Sequence, residues 1–177
     1  MIRPARPDDV PEILALVREL AEYERAAHEV QATEADLHRS LFGPDPAVFC
    51  HVADTAPESA GRHSPGTPPL AGFALWFLNY STWQGRHGIY LEDLYVRPAH
   101  QGQGFGRALL QALARVCVEH GYGRLQWWVL DWNSSATAFY SALGAEPMDE
   151  WTVWRLGGAP LEGLGSAAGA GSHTTEA

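Results

Sequence analysis

A strand that leads directly into a glycine-rich helix start constrains this chain more than any other feature. Residues alternate with the period of a β-strand from Tyr90 to Val96, and Pro98, which cannot donate to a strand ladder, ends the strand. The segment Gln101-Gly-Gln-Gly-Phe-Gly106 then precedes apolar residues at helical spacing, at positions 109, 110, 113, 116 and 117. Glycines at a helix start leave backbone N–H groups uncovered at the positive end of the helix dipole, which suits phosphate oxygens.

Three phosphate-binding patterns, and a helix cap with no ligand, are alternatives for this turn. A P-loop requires a Gly-Lys-Ser/Thr ending, and the chain contains no lysine. A dinucleotide-binding turn requires Gly-x-Gly-x-x-Gly, whereas the glycines here lie at 102, 104 and 106. The third pattern, Gln/Arg-x-x-Gly-x-Gly/Ala after a strand, is satisfied by residues 101–106. Taken alone, this turn leaves the ligand-free cap open.

The composition narrows the class of protein. A length of 177 residues fits one domain with a proper core, and no apolar run reaches the length of a membrane span or marks a secretory signal. Cys50 and Cys117 lie far apart, and the histidines form no pair at metal-ligand spacing, so we expect no disulfide framework, no metal and a cytoplasmic location. The net charge of −9 and the lack of a basic patch predict no nucleic-acid partner, and we expect no membrane partner.

Hydrophobic periodicity and turn residues predict an α/β domain with the element order βααβββαβαβ. Strands are expected at 1–5, 47–53, 70–80, 90–96, 124–130 and 151–156, and helices at about 8–25, 33–42, 105–117 and 136–143. This order indicates a mixed, mostly antiparallel central sheet flanked by helices. The domain should span 1–156, with 54–69 as an extended loop and 157–177 as a low-complexity, disordered tail.

Several segments together carry a resemblance to one family. They are Arg3-Pro-Ala, 19–24, 80–86, 90–96, 101–106, 129–133, 139–140 and 143–145. On these segments, residues 2–156 resemble the GCN5-related N-acetyltransferase (GNAT) family, and within it the diamine acetyltransferases and the thialysine N-epsilon-acetyltransferases. The resemblance implies the GNAT fold, acetyl-CoA as co-substrate, a small-molecule amine as acceptor, and a homodimer.

The chemistry of acetyl transfer makes three demands that the family residues can meet. A lysine-like amine has a pKa of about 10.4 and must lose a proton, a negative oxygen develops on the carbonyl, and the leaving thiolate needs a proton. The resemblance implies that Glu92 accepts the amine proton, directly or through a water, and that Tyr140 protonates the thiolate. It also implies that Tyr23 and Glu24, with Glu92, contact the substrate.

The resemblance further implies a set of coenzyme contacts. These residues are Leu94, Tyr95, Val96, Gln101, Gly102, Gln103, Gly104, Phe105, Gly106, Arg107, Asn133, Ser134, Ser135 and Ala136.

Each functional assignment has a structural alternative. Glu92 could be an edge carboxylate or an ion-pair member, Tyr140 a core residue, Asn133 a helix cap, and the pair at 23–24 a solvated helix end.

One departure from the family pattern bears on the acceptor. The polyamine enzymes carry acidic residues where this chain has Ser81 and Thr152, which favours a shorter amine such as thialysine, lysine or a small diamine. The sequence therefore predicts an N-acetyltransferase that transfers acetyl directly in a ternary complex. A protein or peptide N-acetyltransferase on the same fold and a non-catalytic acyl-CoA-binding module are the alternatives.

Overall fold

A computed structural model describes residues 1–55 and 70–167 of the chain. The chain divides into two compact units, Met1–Trp128 and Val129–Ala177, which we describe separately. The expected domain limits of 1–156 and 157–177 stay a prediction, and most of the expected loop, 56–69, lies outside the described residues.

The first unit holds a five-stranded sheet and three helices. Its strands are β1 (Ile2–Pro4), β2 (Phe49–Ala53), β3 (Gly72–Ser81), β4 (Arg86–Val96) and β5 (Leu125–Gln126). Its helices are α1 (Val10–Tyr23), α2 (Glu34–Phe42) and α3 (Phe105–His120). The strands lie in the order β1-β2-β3-β4-β5, antiparallel except for the parallel β4–β5 pair, which confirms the mixed, mostly antiparallel sheet.

Strand β4 has two irregular features. Leu75 pairs with Asp93 and the next residue of β3, Trp76, pairs with Leu91, so Glu92 is the extra residue of a β-bulge. Strand β5 pairs only with Ile89 and Tyr90, so within the described part of the first unit that edge of β4 has no strand neighbour from residue 91 onward. The free edge and the bulge thus fall on the same short stretch of β4.

Apolar stripes pack helices on both faces of the sheet. On one face, α1 and α2 bury residues against alternate residues of β2, β3 and β4. This core consists of Ile13, Leu16, Leu41, Cys50, Val52, Leu70, Phe73, Leu75 and Tyr95. Full burial of one such large side chain contributes about 1.5–3 kcal/mol. His51 and Trp76 alternate with these residues and point to the other face, where burial and the nearby Arg115 of α3 lower the pKa of His51.

The second unit differs from the sequence prediction in two places. Its described helices are α4 (Ser134–Ser141) and α5 (Gly158–Ala167). The strand predicted at 151–156 is wrong: within the described part of this unit the segment pairs with no strand, and Trp151, Val153, Trp154 and Leu156 are exposed. Residues 158–167, predicted to be disordered, form a helix, because Ala, Leu and Glu favour helix despite the low complexity of the segment. In the first unit, the strand predicted at 124–130 is shorter than expected, with two paired residues.

Candidate active site

The glycine-rich turn, residues 101–106, begins five residues after the last residue of β4 and includes the first two residues of α3. Gly102 (φ 74°) and Gly104 (φ 86°) have left-handed backbone conformations, which glycine adopts without steric cost. A Cβ atom built on either glycine would meet no other atom within 4 Å, so the outer side of the turn is open. The first N–H groups of α3 have no partner within the helix and are available to an anion.

Side chains brace the backbone of this turn. The side-chain amide of Gln101 donates to the carbonyl oxygen of Val96 at 3.0 Å, and that of Gln103 donates to the carbonyl oxygen of Ala99 at 3.0 Å. These bonds occupy the glutamine side chains with the protein itself. A ligand at the turn would therefore meet mainly backbone N–H groups and the exposed Arg107.

The stretch of β4 expected to contact the coenzyme is only partly accessible. Leu94 and Val96 are half-buried, whereas the Tyr95 side chain belongs to the core against α1. Burial, followed by the charge of Glu19, raises the pKa of the Tyr95 phenol. Of Tyr95, only the backbone can therefore contribute to a coenzyme site, along the edge of β4 that β5 leaves free.

Three carboxylates meet where the bulge of β4 faces the end of α1. Glu24 caps α1, Glu92 is the exposed residue of the bulge, and Asp93 is half-buried beside it. Burial, followed by the charges of Glu92 and Glu24, raises the pKa of Asp93 to about 6. Burial also raises the pKa of Glu24. The negative charge at this end of the sheet therefore favours the binding of a cation.

The position of Glu92 corrects one expectation and reveals one omission. Strand alternation predicts that Glu92 shares a face with Tyr90, Leu94 and Val96 and points into a partly enclosed slot, but at the bulge Glu92 is exposed. Sequence reasoning missed Asp93, the carboxylate that is more buried and whose pKa is raised to about 6. Only the register of β3 against β4 reveals the bulge, so the local sequence carries no signal for it beyond the adjacent pair of acidic residues.

Helix α1 ends in a strained backbone conformation next to Tyr23 and Glu24, the other residues predicted to contact the substrate. Tyr23 is 48% exposed and is the last residue of the helix. Arg25 follows in the left-handed region (φ 62°), which residues other than glycine rarely adopt, and the Ala26 N–H donates to the carbonyl oxygen of Ala21 at 2.8 Å. The structure thus brings Tyr23 and Glu24 to a sharply turned helix end.

The remaining predicted site residues lie in the second unit. The Asn133 side-chain oxygen accepts from the Ala136 N–H at 3.2 Å, which confirms its structural role as the cap of α4. Ser134 and Ser135 are exposed in the first turn, and Tyr140 is half-buried on α4 with its ring 5.3 Å from that of Phe139. Their roles toward coenzyme and thiolate stay predictions.

The described part of the chain contains neither a metal-binding group of side chains nor a helix that could span a membrane. Residues 1–55 and 70–167 contain no group of three His, Cys, Asp or Glu side chains that could hold a metal ion. Over the same ranges, every helix is too short or too polar to cross a membrane.

Comparison with known proteins identifies the family. The model of the acetyltransferase (GNAT) family matches residues 13–145. The chain is 40% identical over 167 residues to a thialysine N-epsilon-acetyltransferase of Bos taurus, covering 93% of this chain and 96% of the relative. It is 33% identical to an L-ornithine N5-acetyltransferase of Arabidopsis thaliana, covering 92% and 86%.

A solved structure supports the same fold. An integron cassette protein from the mobile metagenome of V. cholerae superposes with a TM-score of 0.71 at 24% identity, covering 93% of this chain and 96% of that one. The sheet order, the open glycine-rich turn after β4 and the extent of the family match agree with one another. The chain therefore belongs to the GNAT family of acetyltransferases.

Proposed function

We propose that this GNAT enzyme transfers acetyl from acetyl-CoA to the primary amine of a small molecule, by direct transfer in a ternary complex. One observation carries the proposal: the open glycine-rich turn follows β4, and β4 also bears Glu92 and Asp93, with Glu24 of α1 close enough to raise the pKa of Asp93. An anion-binding turn and a cation-attracting cluster on one strand suit a phosphorylated coenzyme and an ammonium substrate.

The residues of the turn fit the coenzyme. Residues 101–107 would hold the pyrophosphate by backbone N–H groups, and residues 94–96 would lie along the free edge of β4 with Leu94 N–H toward the carbonyl oxygen. We also assign contacts with acetyl-CoA to residues 133–136, at the start of α4. Acetyl-CoA supplies the acetyl group as a thioester, and we assign no metal to the reaction.

The carboxylates would hold the acceptor and take its proton. A primary ammonium has a pKa of about 10.4, so an enzyme at neutral pH must remove one proton before the nitrogen can attack. Glu92, with Tyr23 and Glu24 beside it in the acceptor site, takes this proton directly or through a water. The neutral amine nitrogen attacks the thioester carbonyl carbon directly, the C–S bond breaks and Tyr140 protonates the departing thiolate, so no covalent enzyme intermediate forms.

Two observations favour a short amine of the lysine or diamine class. The relative at 40% identity is named for thialysine and the one at 33% for L-ornithine, both amino acids with a terminal amine, whereas a relative at 34% identity is named for spermidine and spermine. Ser81, which stands where polyamine enzymes carry an acid, is buried, and its hydroxyl oxygen accepts from the Gln84 N–H at 3.2 Å. Ser81 therefore closes a turn and offers no charge to a long polycation. We also propose a cytoplasmic homodimer with neither nucleic acid nor membrane as partner.

Kinetics of Glu92→Gln across pH test the proposal. The substitution keeps the shape and removes charge and basicity, so kcat/KM for thialysine should fall. If proton removal is the main role, the loss should shrink as pH approaches the pKa of the amine, where neutral amine is abundant. If attraction is the main role, the loss should appear chiefly in KM. Equal kcat/KM for both enzymes at every pH would remove Glu92 from the acceptor site.

A further inference from the structure

Arg97, the residue that follows β4, makes an unusually dense set of contacts. Its guanidinium donates to Glu19 from Nε at 3.0 Å to each carboxylate oxygen and from Nη2 at 2.7 Å. Its Nη1 donates to the carboxylate of Glu12 and to the Leu70 carbonyl oxygen, the latter at 3.0 Å. The side chain is 17% exposed, so these bonds are largely shielded from water.

The backbone of Arg97 ties the same residue to β3. Its N–H donates to the carbonyl oxygen of Ala71 at 2.8 Å, directly before β3 begins. Pro98 follows at once, and the Gln101 side chain returns to the Val96 carbonyl oxygen next to Arg97. Arg97 therefore fixes the start of the glycine-rich turn relative to the sheet.

Both acidic partners of Arg97 lie on α1, on the stripe that leads to the predicted acceptor residues. Glu12 and Glu19 are seven residues apart, and Glu19 and Tyr23 are four apart, so all three occupy neighbouring positions on one helical face. The hydrogen bonds of Glu19 raise the pKa of Arg97, which keeps the guanidinium charged. A planar fork that binds two carboxylates and a carbonyl at once fixes orientation in a way a lysine ammonium cannot.

We propose that Arg97 is a positioning residue that holds the acceptor end of α1 in register with the acetyl-CoA turn. This inference rests on the proposed function. Arg97 would touch neither substrate; it acts through Glu12 and Glu19 on one side and through the turn on the other. Each substrate site keeps its local structure without Arg97, but the amine and the thioester are no longer held in reacting geometry. Such misplacement lowers kcat more than it lowers binding.

The test compares Arg97→Gln and Arg97→Lys with the wild type. We expect Arg97→Gln to lower kcat for thialysine about 10- to 100-fold, on the scale that small misplacements of reacting groups produce. The Kd for acetyl-CoA, measured by calorimetry without amine, should stay within about threefold of wild type, because the turn's own braces remain. Arg97→Lys should restore part of kcat, since it keeps the charge but loses the fork.

The matched control is Arg39→Gln, which removes an arginine from the exposed ion pair with Asp36 on α2. It should leave kcat unchanged. Thermal unfolding of each variant separates lost folding from lost positioning. If Arg97→Gln does not fold, Glu19→Gln takes its place, because it keeps the Arg97 bonds to Glu12 and Leu70. The same split between kcat and Kd is then expected at smaller size.

Two results overturn the inference separately. If the wild-type enzyme turns over thialysine, two results for Arg97→Gln overturn this inference alone. One is an unchanged kcat, and the other is a loss of kcat in proportion to a loss of acetyl-CoA affinity. A wild-type enzyme that acetylates no amine overturns the proposed function and this inference with it.

Discussion

Replacing Asp93 by asparagine should stabilise the protein while lowering its activity. Burial and the charges of Glu92 and Glu24 raise the pKa of this carboxyl from 3.8 to about 6. A difference of about two pH units corresponds to about 3 kcal/mol between the two protonation states. Because the folded state binds this proton more tightly than the unfolded chain does, ionisation of Asp93 destabilises the fold. Asparagine keeps the shape and removes that cost.

The sign of this effect fixes its pH dependence. The ionised carboxylate destabilises the fold fully above pH 6, and the penalty disappears as pH falls below the unfolded value of 3.8. The free energy of unfolding of the Asp93→Asn variant should therefore exceed that of the wild type by about 3 kcal/mol at pH 8 and by about half as much at pH 5. For a domain of this size, 3 kcal/mol raises Tm by about 6–12 °C.

Calorimetric unfolding of both proteins at several pH values measures this difference. The matched control is Glu119→Gln on α3, whose exposed side chain should change the free energy of unfolding by no more than about 0.5 kcal/mol. The same Asp93→Asn preparation should show a lower kcat/KM for a primary amine, because a charge near the ammonium is lost. An Asp93→Asn variant less stable than wild type at pH 8, or an advantage that grows toward acid, would refute the reasoning.

Three further predictions concern the turn, the acid and the core. Gly104→Val should weaken acetyl-CoA binding measured by calorimetry, because a side chain fills the open side of a left-handed position (φ 86°). The control Gly121→Val changes an equally left-handed glycine (φ 67°) at the other end of α3 and should lower stability alone. Equal acetyl-CoA affinity in both variants would remove the turn from the site. Tyr140→Phe deletes only the hydroxyl and should lower kcat on the order of 10²-fold with little change in acetyl-CoA affinity, whereas near-normal kcat would make it a packing residue. Burial lowers the pKa of His51, whose Nδ1 accepts from Trp76 Nε1 at 3.1 Å, so the contribution of His51 to stability should be lost as pH falls below about 6.5. A His51→Phe variant should therefore lose less stability than the wild type over this range, and an equal loss in both proteins would contradict this.

Features of the fold that depend on residues close together in sequence could be predicted. Thr33 and Asp36 form a capping box where the helix predicted at 33–42 begins, with the Thr33 hydroxyl accepting from the Asp36 N–H at 3.2 Å and the Asp36 carboxylate accepting from the Thr33 N–H at 3.1 Å. The turn at 101–106 lies between β4 and α3 as predicted, because glycine and proline restrict the backbone locally. These features depend on neighbours in sequence.

Features that depend on contacts between residues distant in sequence were not predicted. The bulge at Glu92 exists only in the pairing of β3 with β4, so alternation gave Glu92 the wrong environment and left Asp93 unnoticed. A segment such as 151–156 has strand-like composition, but a strand requires a neighbour, and none is present in the described part of its unit. The clamp of Arg97 on Glu12 and Glu19 spans 85 and 78 residues, a separation no local pattern encodes.

Product analysis tests the central claim most directly. The purified protein is incubated with acetyl-CoA and, separately, with thialysine, lysine, L-ornithine, spermidine and a lysine-containing peptide, and acetylated products are identified by mass spectrometry alongside free CoA release. We predict an acetylated short amine, with spermidine and the peptide much poorer acceptors. Acetyl-CoA binding without any acetylated amine would contradict the account and favour a non-catalytic acyl-CoA-binding module, and acetylation of the peptide alone would favour a protein acetyltransferase.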